Sequence, residues 1–340
     1  MHDLSIDVTN VCNRDCIHCI KDKLEPRGHL PLDLYIEIID QAKAIGITHV
    51  CFTGGEPSLH PNWDRIIVET VKRDMSFSLV INGHEFKRLT LPLLLNENVK
   101  KHLISVCFSL DGASATTHDY LRGEGSFSEV IEAASLCRLK RIPFSFKTVV
   151  TARNQNEIIK IALLAAALGA TQQSFIALIP TPRALKLKLV PRFSQLSQIR
   201  AIIRGHLVGK MQTDILLEGS WGAKSILFTC NAFQRAYHVD HCGNLLFCCN
   251  LSHVYTGNQQ ATFGKELLAD LRQQDLKVGL VRHYELLAAF MKARLDSAQN
   301  PTNLLHYPCL WCMNYFGKLE WTKAEQLHSL FCQLFDRTEI

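Results

Sequence analysis

Residues 12 to 19 read Cys12-Asn13-Arg14-Asp15-Cys16-Ile17-His18-Cys19, three cysteines at C-x3-C-x2-C spacing directly after the strand-like run Leu4 to Val8. Three thiolates on one short loop can hold three corners of a cubane iron-sulfur cluster and leave its fourth iron without a protein ligand. An open iron can chelate the amino and carboxyl groups of a small molecule and pass it one electron. A structural zinc site would use all four positions. Taken alone, the triplet is also compatible with half of a zinc knuckle or with loose thiols.

A second stretch decides between these readings. The run His49 to Thr53 passes straight into Gly54-Gly55-Glu56-Pro57. Paired glycines at a strand end leave backbone groups bare, so a ligand's ammonium can approach carbonyl oxygens that side chains would screen. A Gly-Gly turn alone would mean only a tight strand-to-helix connection. One βα unit after C-x3-C-x2-C, the pair of motifs resembles the radical S-adenosylmethionine (radical SAM) superfamily. That resemblance implies a [4Fe-4S] cluster with an open site on Cys12, Cys16 and Cys19, and SAM as its ligand. It also implies that Gly54, Gly55, Glu56 and Pro57 receive the amino group of the methionine moiety. His18 stands where the family usually has an aromatic ring against SAM, and an imidazole can fill that role.

The chain has 340 residues, 47% of them apolar, enough for a large core in one extended domain or two joined ones. Its longest strongly apolar run, around residues 161 to 170, is far shorter than a membrane span of ~18 to 20 residues. A strand within four residues of the amino terminus leaves no room for a signal peptide, so a cytoplasmic protein is expected. The thirteen cysteines then read as ligands and buried thiols in a reducing compartment. A net charge of +5 without a run of like charges argues against a nucleic-acid partner.

Strand patterns near 4–8, 48–53, 76–81, 104–110, 144–150 and 173–178 alternate with helical ones near 32–45, 62–74, 91–100, 127–141 and 155–168. A further helix is expected near 192–208, after a seam at 181–191 rich in Pro, Arg and Lys. The fold class is α/β: a partial (β/α)6 radical SAM barrel over residues 1–210, then a small cysteine-rich SPASM/twitch-like domain over 211–340. By the same resemblance, Ser109 and Arg122 lie near the SAM ribose or substrate and near its carboxylate, with Asp111 an equal candidate for orienting the loop. Asn154 reads either as a ribose contact or as a helix start, and Leu178 as an adenine contact or as core.

The second cysteine group opens with Cys230, continues through Cys242-Gly243-Asn244-Leu245-Leu246-Phe247-Cys248-Cys249, and ends at Cys309-Leu310-Trp311-Cys312. A cysteine, about a dozen residues and then Gly-x4-Cys suggests a hairpin turning at Gly243, and it resembles the start of the auxiliary-cluster module called SPASM or twitch. Cys230, Cys248, Cys309 and Cys312 make four ligands, enough for one auxiliary [4Fe-4S] cluster, with Cys242 or Cys249 substituting for Cys248 under another register. Zinc is the alternative, because C-x2-C is also zinc-ribbon spacing. Cys51, Cys107, Cys137 and Cys332 read as small core hydrophobes. An insertion over 250–308 is expected to be helical near 264–274 and 281–295, and a last helix over 322–335.

The expected function is reductive cleavage of SAM to a 5'-deoxyadenosyl radical that takes a hydrogen from substrate. A peptide is the first choice of substrate and a small molecule such as an aminoglycoside the alternative. A non-catalytic iron-sulfur or zinc protein is the remote one. Expected partners are an external electron donor such as flavodoxin or ferredoxin and, because the barrel starts at residue 4, a separate leader-peptide-binding protein. The acid or base is unassigned, with Cys242, Cys249 and His241 as candidates.

Overall fold

A computed structural model of the chain describes residues 3–21, 26–219, 221–222, 230, 236–252, 263–299 and 303–335. Ten strands of these residues form one sheet: β1 Asp3–Thr9, β2 His49–Gly54, β3 Ser76–Ile81, β4 Leu103–Ser109, β5 Phe144–Val150, β6 Gln172–Ala177, β7 Asp214–Glu218, β8 Ala236–Val239, β9 Asn244–Leu246 and β10 Leu267–Asp270. The spatial order is β10-β9-β8-β1-β2-β3-β4-β5-β6-β7. All pairings from β8 through β1 to β7 are parallel, and only β8–β9 and β9–β10 are antiparallel.

The six expected strands are present at the expected places. β7 was not anticipated: it lies beyond residue 210 and continues the parallel sheet beside β6. At the other edge β8 pairs with β1, so the hairpin of the second cysteine group extends the same sheet. Gly243 holds that hairpin's turn at φ +86°, a left-handed conformation that glycine adopts without strain. Residues 264–274, expected as helix, contain β10 instead. The short apolar run Leu267-Leu268-Ala269 fits either period, and a free strand edge at β9 selects the extended form. The expected insertion over 250–308 also includes 253–262 and 300–302, which lie outside the described residues, and its second helix is Leu276–Asp296. The expected helix at 91–100 is two short ones, Leu91–Leu94 and Glu97–His102, and the last helix is confined to Glu325–Cys332 after a 3-10 turn at Glu320–Lys323.

Strict alternation gives the parallel strands two different faces. One carries Leu4, Ile6, Val50, Phe52, Phe77, Leu79, Val106, Phe108, Phe146 and Phe175, all fully buried. Against it pack Tyr35 of helix Leu32–Ala44, Trp63 of helix Trp63–Lys72 and Phe86 of helix Phe86–Leu89, with ring centroids 5.3 to 6.0 Å from Phe52 or Phe108. The opposite, concave face is polar: Asp7, Ser145 and Ser174 are buried on it, and Cys51, Ser78, Cys107, Lys147 and Glu218 are half-buried. Lys147 Nζ on β5 reaches Glu218 Oε2 on β7 at 2.9 Å across the intervening strand. The core therefore lies between sheet and helices, and the hollow of the sheet is left for chemistry at the strand ends.

Candidate active site

The loop after β1 is suspended from several directions. Thr9 Oγ1 donates to Gly28 O at 2.8 Å and accepts from Val11 N, while Asn10 Oδ1 accepts from Gly28 N. Further along, Ile17 N donates to Leu121 O at 3.0 Å, Arg14 pairs with Glu129 at 2.5 Å, and Asp15 takes a two-pronged ion pair from Arg183 at 2.8 and 3.0 Å. Arg183 belongs to the basic segment first read as a domain seam, so that segment braces the loop.

Cys12, Cys16 and Cys19 are half-buried and within electrostatic reach of one another. Burial pushes the Cys12 thiol up to about 11, with Glu56 and the neighbouring thiols adding to the rise and a hydrogen bond from Arg14 N, 3.5 Å from Cys12 Sγ, opposing it. Arg122 Nη1 points at Cys16 Sγ at 3.9 Å and Asn82 Nδ2 at Cys12 Sγ at 4.0 Å. N–H donors aimed at sulfurs are how a protein holds and tunes a thiolate-ligated cluster. Among the described residues no three His, Cys, Asp or Glu side chains close to the distances of a single metal ion, so the three thiols are neighbours, not a preformed cage. Their number, burial and donors fit a cluster that gathers them.

Gly54 and Gly55 have a role that the sequence did not suggest. A Cβ on Gly55 would lie 2.2 Å from Val11 O, and one on Gly54 2.3 Å from Thr9 O. Gly55 N donates to Thr9 O at 2.7 Å and Glu56 N to Val11 O at 2.8 Å. The glycines thus let the end of β2 lie against the cysteine loop, backbone to backbone. Glu56 is 1% exposed and its carboxylate accepts from Ser58 Oγ at 2.7 Å and Asn82 N at 2.7 Å, with Pro57 opening the 3-10 turn that follows. Burial raises the Glu56 carboxyl. It ties the end of β2 to the end of β3.

His18, Arg122 and Asn154 meet on Asp111. His18 Nε2 lies 3.1 Å from Asp111 Oδ2, and Arg122 Nε donates to the same oxygen at 2.5 Å. Val149 N donates to Asp111 Oδ1 at 2.7 Å, and Asn154 Nδ2 to Asp111 O at 2.9 Å. Asp111 is therefore the hub joining the cysteine loop to β4, β5 and helix Ala115–Arg122. Burial opposes its charge, yet Arg122 and then His18 hold the carboxyl well below the usual carboxylate range. Asn154 also accepts from Thr151 N at 2.7 Å, so its amide is spent on the β5 turn and Asp111. Ser109 is half-buried at the end of β4 beside Lys147 of β5, and Leu178, 5% exposed, follows β6 within the core.

His118 Nδ1 accepts from Asp111 N at 3.1 Å, which fixes it as a neutral ring. Desolvation first, then the Arg122 charge, lowers it from 6.5 to about 4. The unfolded chain then binds the extra proton between those values, so folding stability should fall as pH drops from about 6.5 to about 4. The loss attributable to His118 is roughly 3 kcal/mol. Urea denaturation of wild type and His118→Gln at pH 7 and pH 5 checks this, since Gln can accept the same bond without titrating. An equally steep loss in both proteins would remove His118 as its source.

The second cysteine group gathers too. Cys248, Cys309 and Cys312 each feel the charges of Cys230 and Cys249; a hydrogen bond with Cys249, and then burial, pushes the Cys248 thiol up, while burial pushes Cys309 up to about 12 and raises Cys312 as well. Cys309 and Cys312 sit on one face of helix Pro308–Tyr315, and Cys248 and Cys249 follow β9. Residues 231–235, in the expected first arm of the hairpin, lie outside the described residues. Cys249 is exposed, whereas Cys248 and Cys312 are buried, and Cys242 Sγ instead lies 3.5 Å from His241 Nε2. Cys51 and Cys107 correct the core assignment: both are on the concave face, near Lys147. Cys137 is buried in core as expected, and Cys332 lies 3.5 Å from His328 Nε2.

Three features went unread in the sequence. Asn82 at the end of β3 donates to Asn13 Oδ1 at 2.8 Å and accepts from His84 N. Lys147 and Glu218 pair inside the hollow. Asp7 of β1 takes Lys21 at 2.5 Å and faces His238 of β8 at 3.5 Å. For Lys147, Glu218 and Asp7, lone charged residues inside strand patterns were the available signal.

No helix among the described residues is long and apolar enough to cross a membrane. The chain matches curated proteins in part: 31% identity over 180 residues to an AdoMet-dependent heme synthase of Methanosarcina barkeri, covering 52% of this chain and 50% of that one. It is 26% identical over 254 residues to the mycofactocin maturase MftC of Mycobacterium ulcerans, covering 72% and 67%. The chain thus spans about half the length of the first curated relatives it matches. In fold it resembles anSMEcpe with bound AdoMet and Kp18Cys peptide (TM-score 0.65, 15% identity, 96% and 99% covered). It also resembles Streptococcus suis SuiB bound to precursor peptide SuiA (TM-score 0.62, 18% identity, 81% and 63% covered). The superfamily model for radical SAM proteins matches residues 6–165, the stretch holding the cysteine loop, the glycine pair and the Asp111 hub, and this part of the chain is a radical SAM superfamily domain.

Proposed function

We propose that the protein is a radical SAM enzyme that modifies a peptide. The observation that carries the reading is the backbone-to-backbone seating of the Cys12–Cys19 loop on Gly54-Gly55, with Asp111 bracing it through His18 and Arg122. Cys12, Cys16 and Cys19 would hold a [4Fe-4S] cluster with one open iron, which would bind SAM and pass it the electron that an external donor supplies, for cleavage to methionine and a 5'-deoxyadenosyl radical. The chain's own residues would supply the setting: Gly54 to Pro57 the rim of the hollow, Ser109 at the end of β4 and the polar concave face the surface toward substrate, while Asn154 braces the β5 turn and Leu178 belongs to the core. A closed hollow keeps water from a reactive species. Two proteins of similar fold point to a peptide by their names, SuiB bound to precursor peptide SuiA and anSMEcpe with bound AdoMet and Kp18Cys peptide.

Cys230, Cys248, Cys309 and Cys312 would hold one auxiliary [4Fe-4S] cluster in a twitch-like module, with full ligation favouring electron transfer. A flavodoxin or ferredoxin would serve as donor, and a separate leader-binding protein could present the peptide. The test is anaerobic reconstitution with iron and sulfide, then SAM and dithionite. About eight irons per chain and 5'-deoxyadenosine are expected. Cys16→Ala should lose about half of the iron and lower 5'-deoxyadenosine formation by more than 100-fold. A Cys16→Ala protein that still cleaved SAM would defeat the proposal.

A further inference from the structure

The cysteine loop is bordered by a ring of contacts that carries several cations. Arg183 of helix Pro182–Lys186 makes the two-pronged pair with Asp15 at 2.8 and 3.0 Å, and its charge lies within electrostatic reach of the Cys19 and Cys16 thiols. Lys186 is three positions on, so it stands beside Arg183 on the same face of that helix. Leu187 and Lys188 follow it, and Ala152 N donates to Leu189 O at 2.7 Å, which sets the turn after β5 beside them. In that turn Arg153 covers the Tyr120 ring, its Cζ 4.7 Å from the centroid. Leu121 O, next to Tyr120, accepts from Ile17 N at 3.0 Å, and the ring closes on the cysteine loop where it began.

The charge of this ring is one-sided. From Ile158 to Thr213 the chain has eight lysines and arginines and no aspartate or glutamate. Arg153, Lys186 and Lys188 are exposed, and no carboxylate among the described residues pairs with any of them. Of the carboxylates on the loops and helices of the ring, Asp15 answers Arg183, Asp119 the N–H groups of Gly125 and Phe127, and Glu157 that of Ala113, which leaves Glu124 against three cations. Leu187 and Tyr120, 44% and 50% exposed, set two large apolar side chains among them. Asn13 and Asp15 are exposed and the three thiols half-buried, so the cysteine loop comes to the surface inside the ring.

SAM cleavage by the proposed cluster takes up one electron from outside. Electron-transfer encounters between proteins are small in area and brief, and charge complementarity gives them rate more than affinity. A cationic ring with two apolar contacts suits such an encounter with an acidic protein. A peptide substrate has instead to reach the hollow of the sheet, where Lys147 and Glu218 already neutralise each other.

We propose that Arg153, Lys186 and Lys188, with Tyr120 and Leu187 among them, form the docking face for an acidic one-electron carrier protein that reduces the centre on Cys12, Cys16 and Cys19. The inference rests on the reading of that loop as the holder of a [4Fe-4S] cluster. The carrier is oxidised by one electron, the cluster is reduced by one, and no bond is made or broken in docking. Arg183 belongs to the bracing of the loop, since Asp15 answers its charge.

The test uses the reconstituted full-length protein with an acidic flavodoxin as probe, in the parent, in Lys186→Glu/Lys188→Glu and in Lys186→Arg/Lys188→Arg. It reads the dissociation constant for oxidised flavodoxin and the rate at which flavodoxin hydroquinone bleaches the cluster absorbance. At low salt both should weaken about tenfold or more in the Glu variant and match the parent in the Arg variant, and the difference should disappear at about 0.5 M salt, where exposed charges are screened. Formation of 5'-deoxyadenosine with dithionite should be alike in all three proteins, which shows that the variants are folded. If the Glu variant loses it, Lys186→Gln/Lys188→Gln takes its place in the same comparison. Equal flavodoxin binding and reduction in the parent and the charge-changed variant overturn the proposal, and so does a parent protein that flavodoxin does not reduce. A fluorescein-labelled glutamate-rich peptide tests the other occupant: a variant that loses the peptide but is reduced by flavodoxin at the parent rate shows that the ring receives substrate, and the proposal falls. A parent protein that forms no 5'-deoxyadenosine with dithionite is the failure of the radical-enzyme reading itself and removes this proposal with it.

Discussion

Asp111→Asn is expected to cost about 3–5 kcal/mol, the range for breaking a buried ion pair by removing one partner. The carboxylate is 0% exposed and answers three donors: Arg122 Nε at 2.5 Å, Val149 N at 2.7 Å and His18 Nε2 at 3.1 Å. An amide of the same shape offers one acceptor atom, and its NH2 group must face a guanidinium or an imidazole that also donates. Arg122, itself largely buried, would be left without its anion. The urea midpoint at pH 7 measures the loss. Its pH dependence is a second signature. A carboxyl held below its unfolded value stabilises fully above that value, near pH 4, and the stabilisation fades as pH falls further. The deficit of Asp111→Asn should therefore be full at neutral pH and shrink in acid. Removing both partners in Asp111→Asn/Arg122→Met should recover part of it, since no buried charge is then left alone. A single variant within 1 kcal/mol of wild type would show that Asp111 is no hub.

The parallel strands were legible because each is a run of one period bounded by turn residues, as in Phe144 to Val150. β7 was not, because Asp214-Ile215-Leu216-Leu217-Glu218 is short, bears charges at both ends and, among the described residues, pairs only with β6. Such a strand is fixed by an open sheet edge that no local pattern reveals. The cysteines and the glycine pair were legible because their chemistry is carried by residue type and spacing. Asp111 reads in the sequence as a residue near the ribose or substrate or as one that orients the loop, but its work as a hub depends on Arg122, Val149 and His18 converging from three elements, distances that the sequence does not contain. Lys147 and Glu218, 71 positions apart on β5 and β7, were missed for the same reason.

Gly55 is the position where one methyl group should do the most damage to the site for the least change in composition. In Gly55→Ala the new Cβ would stand 2.2 Å from Val11 O, 2.6 Å from Val11 C and 2.8 Å from Asn10 C. All three are backbone atoms, so no side chain can swing aside. The loop they belong to is pinned by Gly28, Leu121, Glu129 and Arg183, which leaves separation of β2's end from Asn10 and Val11 as the only relief. That separation breaks the bonds of Gly55 N and Glu56 N to Thr9 O and Val11 O. Overpacking alone costs typically 1–3 kcal/mol, and the loss of two partly buried backbone bonds adds about 1 kcal/mol each. The expected protein is folded, its apolar face being untouched, but with the three thiols displaced: about half of the reconstituted iron is lost and SAM cleavage falls at least 100-fold. Gly46→Ala is the control. Gly46 has φ +85° but nothing within 4 Å of an added Cβ, so it pays only the left-handed strain of about 1–2 kcal/mol and should keep its iron. If Gly55→Ala keeps full iron and cleaves SAM like Gly46→Ala, the cysteine loop does not depend on its close seating against β2, and the glycine pair must be explained by ligand access alone.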